Sequence, residues 1–128
     1  MKQAKGRILC VDNDQDTREM ISAVLGCEGY EVIAAQNVAD GLRQGVTDNF
    51  DVILLDWVFN DGTGIELCKE LRNAGTSTTV LFYSGRSDAR DIENAMSVGA
   101  QGFLIKPVES AQLFATLNRF LSSENESA

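Results

Sequence analysis

Three short apolar runs in this chain each stop at a charge, and that pattern restricts the fold more than any other feature of it. Val52-Ile53-Leu54-Leu55 stops at Asp56. Ile8-Leu9-Cys10-Val11 stops at Asp12-Asn13-Asp14, and Phe103-Leu104-Ile105 stops at Lys106-Pro107. Continuous apolar runs, as opposed to alternating ones, suit strands covered on both faces, as in a parallel sheet. A carboxylate left desolvated and unpaired at such a point costs on the order of several kcal/mol. The cost falls where the strand opens into a loop. Open α/β sheets place their ligand sites at that rim, outside the carboxyl ends of the strands. Acids at two strand ends and a lysine at a third therefore point to one polar pocket.

The remaining segments fit this picture. Strands are expected at Ile8–Val11, Glu31–Ala35, Val52–Asp56, Thr79–Ser84 and Gly102–Ile105. Between them lie amphipathic stretches with helical spacing. Asp14 to Cys27 carries Met20, Ile21, Val24 and Leu25 on one face, and Gly29 stands where a stop is wanted. Asn37 can cap a helix running to about Val46. Gly64 to Ala74 and Asp88 to Val98 are each closed by a glycine, Gly75 and Gly99, and a last helix follows Pro107. Strand then helix, five times, with right-handed crossovers, predicts a single (βα)5 domain of the α/β class. It is a doubly wound, parallel, five-stranded sheet with helices on both faces. Residues 1–128 read as one domain, with its core at about 6–121 and a polar, frayed tail at 122–128.

Composition removes several function classes. A net charge of −8 disfavours binding to nucleic-acid phosphates and to anionic membranes. No apolar run approaches the length of a membrane span, and the basic start Met1–Arg7 leads into too short an apolar stretch for a signal peptide. The three cysteines, Cys10, Cys27 and Cys68, form no Cys-x-x-Cys pair and read as buried thiols in a reducing cytoplasm. The chain contains no histidine, which excludes Ser-His triads, histidine acid–base catalysis and the usual zinc sites. Asp12-Asn13-Asp14-Gln15-Asp16 looks like the start of an EF-hand loop. Thr17 stands where that loop needs glycine, and Ala23 where it needs glutamate, so the reading is rejected.

Four pieces in order carry a family resemblance. They are Ile8 to Asp14, Asp51 to Asp56 with Gly64 downstream, Ser84-Gly85, and Lys106-Pro107. Together, over about Gly6 to Leu121, they resemble a response-regulator receiver domain of two-component signalling, similar to the stand-alone chemotaxis regulator, with a flavodoxin-like fold. The resemblance implies that Asp56 is the phosphoacceptor, taking a phosphoryl group from a histidine kinase or a histidine phosphotransfer protein. It implies Mg²⁺ (or Mn²⁺) held by Asp12, Asp56 and the backbone carbonyl of Val58. Lys106 would pair with the phosphoryl group and Ser84 would hydrogen-bond it, with Gly85 leaving room. Ser84 and Phe103 would form the switch that alters the face of the fourth helix, fifth strand and fifth helix for a downstream target protein. Such a protein is no enzyme beyond its own phosphorylation and dephosphorylation.

Three positions depart from the family pattern. Asn13 replaces the second acid after the first strand, which implies weaker metal binding, partly rescued by Asp14. Asn60 stands where proline is frequent, and Ser84 replaces threonine but keeps the hydroxyl. Val58 and Arg86, two residues after Asp56 and Ser84, are expected to tune phosphoryl lifetime. Trp57 is expected partly exposed beside the site, or alternatively packed.

Two other functions stay open at this point. A haloacid-dehalogenase-type phosphohydrolase would use Asp12 as nucleophile and Asp14 as acid–base, with Ser84 and Lys106 in its later motifs. A receiver-like module that binds partners without phosphorylation is the other. Asp14 has a plainer use as a helix N-cap.

Overall fold

In a computed structural model of the chain, which describes residues 5–86 and 88–126, the five apolar runs form one sheet. The elements are β1 (Arg7–Val11), α1 (Gln15–Cys27), β2 (Glu31–Ala35), α2 (Val38–Thr47), β3 (Val52–Leu55), β4 (Val58–Phe59), β5 (Gly62–Thr63), α3 (Gly64–Asn73), β6 (Thr79–Ser84), α4 (Ala89–Ser97), β7 (Gly102–Ile105) and α5 (Ser110–Glu126). The large sheet has the order β2-β1-β3-β6-β7 and is parallel throughout, so β3 runs through its middle. This is the expected doubly wound (βα)5 architecture. β4 and β5 form a separate antiparallel ladder of two residues each, too short to leave a strand signal in sequence.

Successive strand residues face opposite sides, and the core divides accordingly. Leu9, Val11, Ile53, Leu55, Val80 and Phe82 pack with Leu67, Cys68 and Leu71 of α3 and Ala95 of α4. Ile8, Cys10, Val52, Leu54, Leu81 and Tyr83 pack with Ile21 and Leu25 of α1 and Leu113 and Leu117 of α5. With both faces covered, β3 is buried at every residue, which is why it reads as an unbroken apolar run. Each such side chain contributes roughly 1.5–3 kcal/mol by leaving water, which fixes the strand ends firmly enough to position charges there.

Most helix ends are set by local chemistry. The side chains of Asp14, Asn37, Thr63 and Asp88 cap α1, α2, α3 and α4 by accepting backbone N–H groups of Thr17, Asp40, Glu66 and Arg90. Thr63 and Glu66 form a reciprocal capping box. Gly29 follows α1 at φ 96°, where a side chain would be strained, and lets Tyr30 N–H reach back to Leu25.

Two expectations are corrected. α5 continues to Glu126, so residues 122–126 extend the helix where fraying was expected. No glycine or proline after Pro107 stops it, and residues 127–128 lie outside the described ones. Cys10 and Cys68 are buried as expected, but Cys27, in the last turn of α1, is exposed. Among the described residues no helix is long and apolar enough to cross a membrane.

Candidate functional site

Strand register brings the charges together. Val11 pairs with Leu55 across β1 and β3, and Asp56 N–H donates to the Val11 carbonyl at 3.0 Å. The residues just beyond, Asp12 and Asp56, are therefore neighbours on the carboxyl rim. Lys106 leaves β7 there too, its N–H donating to the Ser84 carbonyl at 2.7 Å. Its ammonium reaches back between the acids, with Nζ 2.8 Å from Asp12 Oδ2 and 3.3 Å from Asp56 Oδ2. The Lys106–Pro107 peptide is cis.

The remaining acceptors are served by backbone. Asp12 Oδ1 accepts the Asp14 N–H at 2.9 Å, and Asp56 Oδ1 accepts the Trp57 N–H at 2.7 Å. Arg18 Nη1 donates to the Asp12 carbonyl at 2.7 Å, a support from α1 that no sequence signal announced. Asp12 is 2% exposed, and the side chains of Asp56 and Lys106 are 16% and 24% exposed. Two carboxylates thus share one ammonium with little water. Burial, and then the charge of Asp12, push the Asp56 carboxyl above its usual value. The Trp57 N–H and Lys106 only partly offset them. Burial alone would lower Lys106, but the hydrogen bond and charge of Asp12, then Asp56, hold it above the usual lysine value. Beneath them the Cys10 thiol is pushed up to about 12 by burial and then by Asp12, which keeps it inert.

Gly64 sets the depth of this arrangement. Its N–H donates to the Trp57 carbonyl at 2.7 Å, and a Cβ at position 64 would stand 2.2 Å from the Asp56 carbonyl oxygen. Beside the buried hydroxyl of Ser84, a Cβ at Gly85 would meet nothing within 4 Å, so space is open there. Ser84 Oγ accepts the Arg86 N–H at 3.2 Å.

The other named residues are less tightly gathered. Phe103 is partly buried, stacked on Phe82 with ring centres 5.9 Å apart and 6.3 Å from Trp57. Trp57 itself is buried, packed against Phe82 and covered by the Arg86 guanidinium at 5.1 Å, so the expected partial exposure is corrected in favour of packing. Val58 is 54% exposed, paired with Thr63 in the small ladder. Asn13 is exposed and lines a polar cavity of about 200 Å³ with Gln36, Asn37, Asn60 and Asp61. Asp14 is spent as a helix cap: Oδ2 accepts both the N–H and the hydroxyl of Thr17, which holds its carboxyl below the usual range. This is the plainer helix-cap use expected for it. Among the described residues no group of three or more His, Cys, Asp or Glu side chains gathers where a cation could sit.

A family model described as the response regulator receiver domain matches residues 8–118. The chain belongs to that receiver-domain family. The transcriptional regulatory protein DltR of Streptococcus agalactiae is 32% identical over 87% of this chain and 50% of its own length. The chain spans about half the length of the curated relatives it matches. Chemotaxis protein CheY4 of Vibrio cholerae is 30% identical with a TM-score of 0.84, covering 93% of this chain and 99% of that one. Response regulator TrrA of Thermotoga maritima, solved in complex with Mg²⁺ and BeF, shares the fold at a TM-score of 0.81 and 24% identity, over 89% and 97% of the two chains. This is a phosphoacceptor receiver domain of two-component signalling.

Proposed function

We propose that Asp56 is the phosphoacceptor, served by Lys106, Ser84 and a divalent cation, and that its partners are a histidine kinase or histidine phosphotransfer protein upstream and a target protein downstream, in the cytoplasm. The observation that carries this is the Lys106 ammonium lying between two carboxylates at 2.8 and 3.3 Å on the rim of the central strands. One ammonium serves two carboxylates there, and burial first, then the charge of Asp12, holds the Asp56 carboxyl above its usual value.

The donor set fits a hard cation. Asp12 and Asp56 carboxylates, the Val58 carbonyl and the Asn13 amide oxygen are all oxygens, and Mg²⁺ binds through one or two carboxylates while keeping several waters. Bound there, Mg²⁺ (or Mn²⁺) would neutralise charge on the phosphoryl oxygens. Asp12 would help hold the cation. A carboxylate oxygen of Asp56 attacks phosphorus in line as the P–N bond breaks in a donor phosphohistidine that is protonated on its other ring nitrogen, giving an acyl phosphate and a neutral imidazole. Lys106 then turns from the two acids to the phosphoryl oxygens, and the Ser84 hydroxyl donates to another. Open space beside Gly85 admits the group. As Ser84 moves toward the phosphoryl, Phe103 repacks against Phe82 and Trp57, altering the α4–β7–α5 face.

The test is phosphorylation by a small phosphodonor with Mg²⁺, located by peptide mass spectrometry. One phosphoryl group on Asp56, absent in Asp56→Asn, is expected. A phosphoryl on Asp12 would instead favour the dehalogenase-type reading, and none at all would favour a phosphate-independent binding module.

A further inference from the structure

The loop that follows Asp56 is tied to the start of the neighbouring helix α2. Asp61 Oδ1 accepts the Val38 N–H at 2.9 Å and Oδ2 accepts the Ala39 N–H at 3.0 Å, so this side chain serves the first two amides of α2 from 22 and 23 residues away. Asn37, the local cap, serves the next free amide, that of Asp40, at 2.8 Å. Those N–H groups have no partner within the helix and take any acceptor offered. A carboxylate is the strongest one, and these contacts hold Asp61 below its usual range.

The loop is also held within itself by the β4–β5 ladder and by the Gly64 N–H on the Trp57 carbonyl at 2.7 Å, but it is Asp61 that ties it to α2. Phe59 is buried in the core, but Val58 and Asn60 are exposed, and Asn60 and Asp61 line the polar cavity instead of packed apolar surface. Asn13 and Asn37 line the same cavity, so the loops after β1, β2 and β3 meet around it. Gly62, next in the chain, lies against Val38: a Cβ there would stand 3.4 Å from Val38 Cγ2.

We propose that Asp61 is a positioning residue for the cation site: by clamping the 57–61 loop to the α2 N-terminus it fixes the Val58 carbonyl relative to Asp12 and Asp56. This rests on the cation reading above. The side chain touches no reacting atom and acts through the backbone between it and Val58. Partners that orient metal ligands are worth about tenfold or more in affinity when removed.

Mg²⁺ titration followed by Trp57 fluorescence tests it, run beside phosphorylation by a small phosphodonor at varied Mg²⁺. In Asp61→Ala the Mg²⁺ concentration for half response should rise about tenfold in both assays, while the rate at saturating Mg²⁺ stays near wild type. Asp61→Asn, which keeps one acceptor oxygen, should lie between. Asn37→Ala is the control, since it removes a cap from the same helix end and leaves the clamp. It should lower the melting temperature without moving the Mg²⁺ midpoint. An unchanged midpoint in Asp61→Ala, or an equal shift in Asn37→Ala, overturns the proposal and leaves the cation reading intact. A wild-type protein that ignores Mg²⁺ in both assays overturns both.

Discussion

β1 carries a charged triplet at each end, and the two triplets have the same stoichiometry with opposite consequences. At its amino end Arg7 lies between Glu31 at 2.7 Å and Asp48 at 3.0 Å. At its carboxyl end Lys106 lies between Asp12 at 2.8 Å and Asp56 at 3.3 Å. Each has one cation for two carboxylates. At the amino end both acids are 48% exposed, so water screens their repulsion, and the hydrogen bond from Arg7 holds Asp48 below the usual range. At the carboxyl end the acids are nearly buried, and desolvation pushes Asp56 above it. Burial, not charge count, decides the sign. The amino-end triplet is content as it stands, whereas the carboxyl-end one has a standing appetite for positive charge.

The largest effect should come from breaking the carboxyl-end triplet. Lys106→Met leaves Asp12 buried without its cation and should cost about 3 kcal/mol of stability in EDTA. Mg²⁺ should restore much of it, and denaturant melts with and without the ion would show this. A loss that Mg²⁺ cannot recover would mean the rim does not take a cation. Next in size is a gain. Asp56→Asn removes one of two crowded charges and should stabilise the metal-free protein by about 1 kcal/mol at neutral pH. A folded-state value raised above the unfolded one makes the ionised form costly. The benefit should therefore be full at neutral pH, shrink as pH falls through the raised value, and vanish below about 3.8, the ordinary aspartate value.

Smaller effects are expected at the amino end. Asp48 has the opposite sign: its stabilisation is present above the ordinary aspartate value and is lost as pH falls through its depressed one. Melting curves of Asp48→Asn should converge on wild type in that acid window and separate slightly above it. Arg7→Met should cost least, and salt should erase the difference, because exposed pairs are screened. A salt-insensitive loss there would mean that packing of Arg7 over Phe50, 4.9 Å away, matters more than its charge.

The contrast also explains what was readable in the sequence. β1 and β3, covered on both faces, appear as apolar runs, as does the more exposed edge strand β7, and Asp12, Asp56 and Lys106 stand out because each ends one. Helix ends were readable where the cap is local, as at Asn37 and Gly29. The Thr63-x-x-Glu66 box was equally local and was missed, although its spacing is a recognised signature. Unreadable were contacts that span the chain. Asp61 reaches α2 from 23 residues away. Arg72 bonds the carbonyls of Thr76, Thr78 and Gly99, tying α3 to the loops before β6 and β7. Trp57 reads equally as partly exposed or packed; its ring turns back onto Phe82, a choice that sequence spacing does not encode.

Gly64 has a consequence of its own. Helix α3 begins against the main chain of Asp56, with no room for even a methyl group between them. The helix is therefore a backstop for that strand end, and pushing it sideways would carry Asp56 with it. A single added carbon at that notch would be a mechanical injury, leaving Asp12, Asp56 and Lys106 all present but displaced from one another.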